Sequence, residues 1–85
     1  MKNDMDKTIT FSIHDKDREL QRKMMLRSVY EALGERGYNP IDQIVEYLLT
    51  EEPTYITNYK NARSTVRKID RYELLADMLR EYLEI

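Results

Sequence analysis

The residues of this chain best suited to chemistry are cations crowded near its C-terminal end. Lys60, Arg63, Arg67, Lys68 and Arg71 fall between Asn58 and Tyr72, opposed there by Asp70 alone, whereas Asp42 to Glu52 carries only acidic charge. On a helix, residues three and four apart share a face, so Arg63 and Arg67 project together. Such a face can remain solvated, pair with the acidic helix of a neighbouring copy, or meet nucleic-acid phosphate. The last use would make the second and third helices a helix-turn-helix, with Arg63, Arg67 and Lys68 toward DNA. Its connection of roughly seven residues exceeds the usual three to four, and the acidic flanks repel phosphate. The solvated or neighbour-paired reading is therefore preferred, and DNA binding is the alternative.

Other chemistry is poorly supplied. His14 is the one histidine and there is no cysteine, so thiolate and mixed His/Cys metal sites are excluded, as are disulfides. No glycine-rich phosphate loop or nucleophile elbow occurs. The Glu51-Glu52 pair sits where a helix ends in a loop and reads as solvated charge. These features predict a protein that is not an enzyme and needs no metal or cofactor.

The cations must be positioned by a helical framework, and its pivot is Gly37-Tyr38-Asn39-Pro40-Ile41. Gly37 can take the left-handed conformation that closes a first helix, expected over about Asp17 to Arg36 with Leu26, Val29, Tyr30 and Leu33 as its stripe. Asn39 can cap the next helix and Pro40 fits its first position. Ile41, Ile44, Val45, Leu48 and Leu49 then recur at helical spacing, which predicts a buried face on a central helix ending near Thr50. Pro53 enforces that stop, and Tyr55-Ile56 can anchor the following loop on the core. Asn58 or Thr57 can cap a third helix with Tyr59, Ala62, Val66 and Ile69 inward. Asp70 and Glu73 have capping-box spacing and open a fourth helix over 71–84. Tyr72, Leu74, Leu75, Met78, Leu79, Tyr82 and Leu83 cover more than one face of it, which predicts burial on two sides, the second against another subunit.

The totals agree with one small helical domain: 85 residues, 41% hydrophobic, two glycines and a formal net charge of -2. The seven tyrosines mostly fall on or beside helical stripes and read as core and interface residues. No stretch reads as a signal peptide or a membrane span, and the lack of cysteine suits a cytoplasmic setting. The expected architecture is all-α: a compact bundle of about four short helices over 19–85, dimeric, after a flexible N-terminal tail over 1–18. Thr8 and Thr10 lie in that tail, where Ile9, Phe11 and Ile13 alternate with polar residues.

With Gln43-Ile44-Val45, Tyr47-Leu48-Leu49, Pro53, Tyr55-Ile56, Ala62-Arg63, Arg67-Lys68 and Arg71, the Gly37-to-Ile41 stretch resembles the IreB family from about Val29 to Leu83. Asp6-Lys7-Thr8-Ile9-Thr10-Phe11 is similar to the family's acidic, threonine-bearing N-terminus. The resemblance implies a cytoplasmic helical homodimer. It would be phosphorylated by a PASTA-repeat Ser/Thr kinase, dephosphorylated by the partner phosphatase, and passed to an unknown downstream protein. Its implied role is negative regulation of cephalosporin resistance in cell-envelope stress signalling. Thr8 matches the phosphoacceptor, with Thr10 a local substitute, because the family's second phosphothreonine falls at Met5. A phosphate on Thr8 has two physical outcomes open to it. One is docking on Arg63, Arg67, Lys68 and Arg71, which folds the tail over a surface the downstream partner needs. The other is being read or repelled directly by that partner; the first is preferred. Asp42 replaces a usual Asn, Glu46 and Glu51 replace usual glycines, and Thr57 replaces a usual Pro.

Overall fold

The helical periodicities fold into four helices in chain order: α1 (Lys2–Glu35), α2 (Pro40–Thr50), α3 (Ala62–Arg67) and α4 (Arg71–Leu83). The computed structural model describes the backbone of residues 2–85 and the side chains of residues 15–85, so the side chains of Thr8, Thr10 and His14 lie outside it. The expected all-α class is the one adopted. One boundary differs: α1 begins at Lys2 rather than near Asp17. No glycine or proline precedes Gly34, so nothing in the covalent chain interrupts helical hydrogen bonding on the N-terminal side of Asp17.

The pivot between α1 and α2 behaves as its residues require. Gly37 sits at φ +84, and the Tyr38 N–H returns to the Leu33 carbonyl at 3.0 Å, closing the last turn of α1. Asn39 caps α2 by accepting a 3.1 Å hydrogen bond from the Asp42 N–H, and Pro40 opens the helix. The core forms where α1, α2 and α3 meet. Val29, Ala32 and Leu33 face Ile44 and Tyr47, with Ala62 and Val66 closing the other side.

The centre of the core also takes Ile56, from the irregular connection, with no exposed surface. Pro53–Tyr55 forms a single 3₁₀ turn that delivers it, and Tyr55 packs beside it as the anchor expected of that pair. The backbone here cannot satisfy itself as a helix does, so side chains take over. Gln43 donates to the Tyr55 carbonyl and Arg63 Nε to the Ile56 carbonyl, both at 2.9 Å.

Two expectations need correction. On α2 the buried positions are Ile44 and Tyr47, with Leu48 half-buried, whereas Ile41, Val45 and Leu49 are exposed, Leu49 by 75%. The apolar arc is wider than the strip α1 and the 53–56 connection can cover, and Tyr47 displaces Val45 from the inner side. The third helix is also shorter than the sequence implies. Tyr59–Asn61 forms a separate 3₁₀ turn in which Lys60 (φ 52) and Asn61 (φ 60) are left-handed, and α3 starts only at Ala62. Thr57 Oγ1 accepts from the Tyr59 N–H at 3.2 Å and so caps that turn rather than α3. Neither Asn58 nor Asn61 makes a side-chain cap. Tyr59 leaves the inner stripe; its hydroxyl donates to Glu35 at 3.1 Å while Lys60 pairs with the same carboxylate at 3.0 Å. These contacts tie a strained turn to the end of α1.

Asp70 caps α4 as its spacing implies, accepting from the Glu73 N–H at 3.0 Å. Gly34 has room for a methyl group, since an added Cβ would lie 3.7 Å from the Pro40 ring. Gly34→Ala should therefore raise unfolding stability by about 1 kcal/mol, whereas Gly37→Ala should lower it by about 1 kcal/mol. Chemical denaturation at one fixed protein concentration checks both signs.

Candidate functional site

The cations singled out in the sequence do not form one patch: Lys60 pairs with Glu35, and the other four split into two pairs. Arg63 is half-buried and committed to the Ile56 carbonyl. Arg71 reaches across to the end of α2, where one guanidinium nitrogen donates to the Leu48 carbonyl and another pairs with Glu51 at 2.9 Å. Carbonyls at a helix C-terminus lack intrahelical donors and carry partial negative charge, so a guanidinium is well placed there. Arg67 and Lys68 are exposed, and no ion pair among the described residues involves either. Two of the four cations thus hold the fold together, and two face solvent.

Arg67 and Arg71 nevertheless share a cleft. It lies between the C-terminal end of α2 and the N-terminal end of α4, has a volume of about 380 Å³, and is lined by Tyr47, Glu51, Arg67, Asp70, Arg71 and Tyr72. Tyr47 reads from its spacing as a core residue and is one, yet it also lines this cleft. Only tertiary packing reveals that second role. The first turn of α4 opens here, which adds the positive end of a helix to the two guanidinium groups. Chemically the cleft can bind an anion through charge-assisted hydrogen bonds, and its two carboxylates balance it while it is empty of ligand.

A second polar cluster fixes α1 to α4. Asp77, 6% exposed, accepts from Arg22 at 2.6 and 2.9 Å and from Arg80 at 2.9 Å. The hydrogen bond to Asp77 raises the Arg22 pKa further above its ordinary value. Lys23, the next residue of α1, pairs at 3.0 Å with Glu81, one turn further along α4. At the opposite end of α1, the hydrogen bond from Lys60 holds Glu35 below the usual carboxylate range, and Glu35 in turn raises Lys60. These clusters serve architecture. Among the described residues, no group of three or more metal-ligating side chains is placed to hold an ion.

The remaining surface is unusually apolar. Leu26, Tyr30, Ile41, Val45, Leu48 and Met78 line a groove of about 540 Å³ between α1, α2 and α4. On α4, Leu75, Leu79 and Tyr82 recur at helical spacing on the side away from Leu74 and Asp77, with Tyr72 and Tyr82 79% and 85% exposed. The breadth of apolar residues on α4 was legible in the sequence, and the fold leaves its second side open. A helix-turn-helix gains nothing from this arrangement, because α3 is only 6 residues long and one of its arginines is turned inward.

Fold and site together define a small all-helical domain with an anion-compatible cleft and broad apolar faces. Among the described residues, no helix is long and apolar enough to cross a membrane. The chain belongs to the IreB regulatory phosphoprotein family, whose model matches residues 6–84. It is similar to a protein of Ruminiclostridium cellulolyticum named as a UPF0297 protein, 52% identical over 80 residues that cover 94% of this chain and 90% of the relative.

Proposed function

We propose that this protein is a non-enzymatic cytoplasmic regulator switched by phosphorylation of Thr8, with Thr10 as a local substitute. The kinase is a PASTA-repeat Ser/Thr kinase, a partner phosphatase reverses it, and the output is negative regulation of cephalosporin resistance within cell-envelope stress signalling. The observation that carries this reading is the reach of the family match. It runs from residue 6 to residue 84 and so takes in Thr8 and Thr10 as well as Arg63, Arg67, Lys68 and Arg71.

Residues 1–18 act as the arm that receives the signal, and 19–85 as the helical dimerisation and regulatory domain. A phosphate on Thr8 adds a charge of about -1.5 to -2. Arg67 and Lys68, exposed and unpaired among the described residues, are its docking groups, with Arg71 within the same cleft as Arg67. Docking draws the arm over a surface that a downstream protein otherwise uses. The exposed apolar faces of α2 and α4 support a homodimer, since burying them against a second copy removes from water a surface that a chain this small cannot cover alone.

Two measurements test this. Mass-spectrometric phosphosite mapping after incubation with the host kinase's catalytic domain should find stoichiometric modification at Thr8 that disappears in Thr8→Ala. Scattered low-level sites would oppose the reading. Light scattering should give twice the chain mass for the wild type and move toward the single-chain mass for a Leu79→Glu/Tyr82→Glu variant; a wild-type monomer would remove the dimer from the proposal.

A further inference from the structure

We infer that Glu51 is an internal counter-ion that occupies the cleft between α2 and α4, so that a phosphomonoester binds there only by displacing it. The inference rests on the proposed docking role of the basic residues and adds the group against which a phosphate must compete. It comes from a conflict at one position. Glu51 holds the left-handed conformation that ends α2, at φ 59, where a residue with a Cβ is strained and glycine is favoured. A glutamate there is poor helix-ending chemistry, yet its carboxylate reaches Arg71 at 2.9 Å. The residue at this position does two things at once: it closes a helix and it neutralises a guanidinium.

The geometry around that pair is what a competed anion site needs. The Arg71 guanidinium is one-third exposed and held in place by the Leu48 carbonyl, so it does not have to reorganise for a new partner. The Glu51 side chain is 66% exposed and can swing into water. Arg67 stands on the same cleft without an ion pair among the described residues, and Tyr47 and Tyr72 also line it. Asp70 also lines the cleft, but its carboxylate is engaged by the Glu73 N–H as the cap of α4. Glu51 is therefore the one acidic group there free to leave. An exposed ion pair is weak, whereas a dianion forms paired charge-assisted hydrogen bonds to arginine, so the exchange favours phosphate over Glu51 by a modest margin. Glu51 acts as a threshold: it keeps the cleft neutral toward weak anions and yields to a phosphomonoester.

The ligand chemistry is a phosphate dianion, carried either by this chain's own Thr8 or free in solution. Titration of the full-length unphosphorylated protein by calorimetry and NMR separates these sources. One arm uses inorganic phosphate and the other a peptide of residues 3–14 phosphorylated at Thr8. Peptide binding should tighten roughly two- to fivefold in Glu51→Gln. Glu51→Gly should tighten it at least as much while relieving the left-handed strain, and Arg67→Ala should weaken it. Phosphate alone should show the same ordering at lower affinity. Wild-type binding that is lost in Arg67→Ala but unchanged in both Glu51 variants would overturn the threshold and leave the docking reading standing. Absence of peptide binding in every variant would overturn both.

Discussion

The structure depends on satisfying an irregular backbone at the centre of a very small core. Ile56 packs fully buried among residues of α1, α2 and α3, and it arrives on an irregular connection rather than on one of those helices. A buried carbonyl without a donor costs on the order of 1–3 kcal/mol, a large part of what a domain this size has in reserve. Arg63 on Ile56 and Gln43 on Tyr55 supply the donors there, and Arg71 does the same for the Leu48 carbonyl in the last turn of α2. The connection between α2 and α3 is fixed by side chains reaching from the helices on either side of it. The same choice consumes two of the four arginine and lysine groups that the sequence offers for binding.

That division links fold to function. Arg71 shapes the region between α2 and α4, and Arg67 provides the charge that remains available on it. Glu51 ties the two roles together, since it ends α2 and pairs with Arg71. The ion cluster around Asp77 plays a comparable part elsewhere, locking α4 to α1 on one side so that its other side can stay apolar and open. The buried carboxylate is tolerated because three charge-assisted hydrogen bonds meet it.

Most of the framework was legible in the sequence because local chemistry dictates it. Gly37, Asn39, Pro40 and Asp70 each have a single conformation or capping bond they favour, and each adopts it. The apolar breadth of α4 was likewise legible, although the chain itself covers only the side that carries Leu74. What the sequence concealed depends on partners distant along the chain. Nothing local distinguishes Arg63, which binds a carbonyl, from Arg67, which does not. The inner side of α2 shifted from Val45 to Tyr47 because packing against α1 selected a strip narrower than the apolar arc. The early start of α1 at Lys2 and the left-handed pair Lys60-Asn61 show the limits of reading helix ends from charge and capping residues alone.

If the fold needs Arg63 and Arg71 but not Arg67 and Lys68, equilibrium unfolding will separate the two pairs. Each would be replaced by alanine and melted in denaturant at one protein concentration. Arg63→Ala and Arg71→Ala should each lose about 1.5–3 kcal/mol, the worth of a charged hydrogen bond to a carbonyl. Arg67→Ala and Lys68→Ala should stay within about 0.5 kcal/mol of the wild type. Four variants of equal stability, or losses at Arg67 and Lys68 instead, would contradict the division on which the proposed site rests.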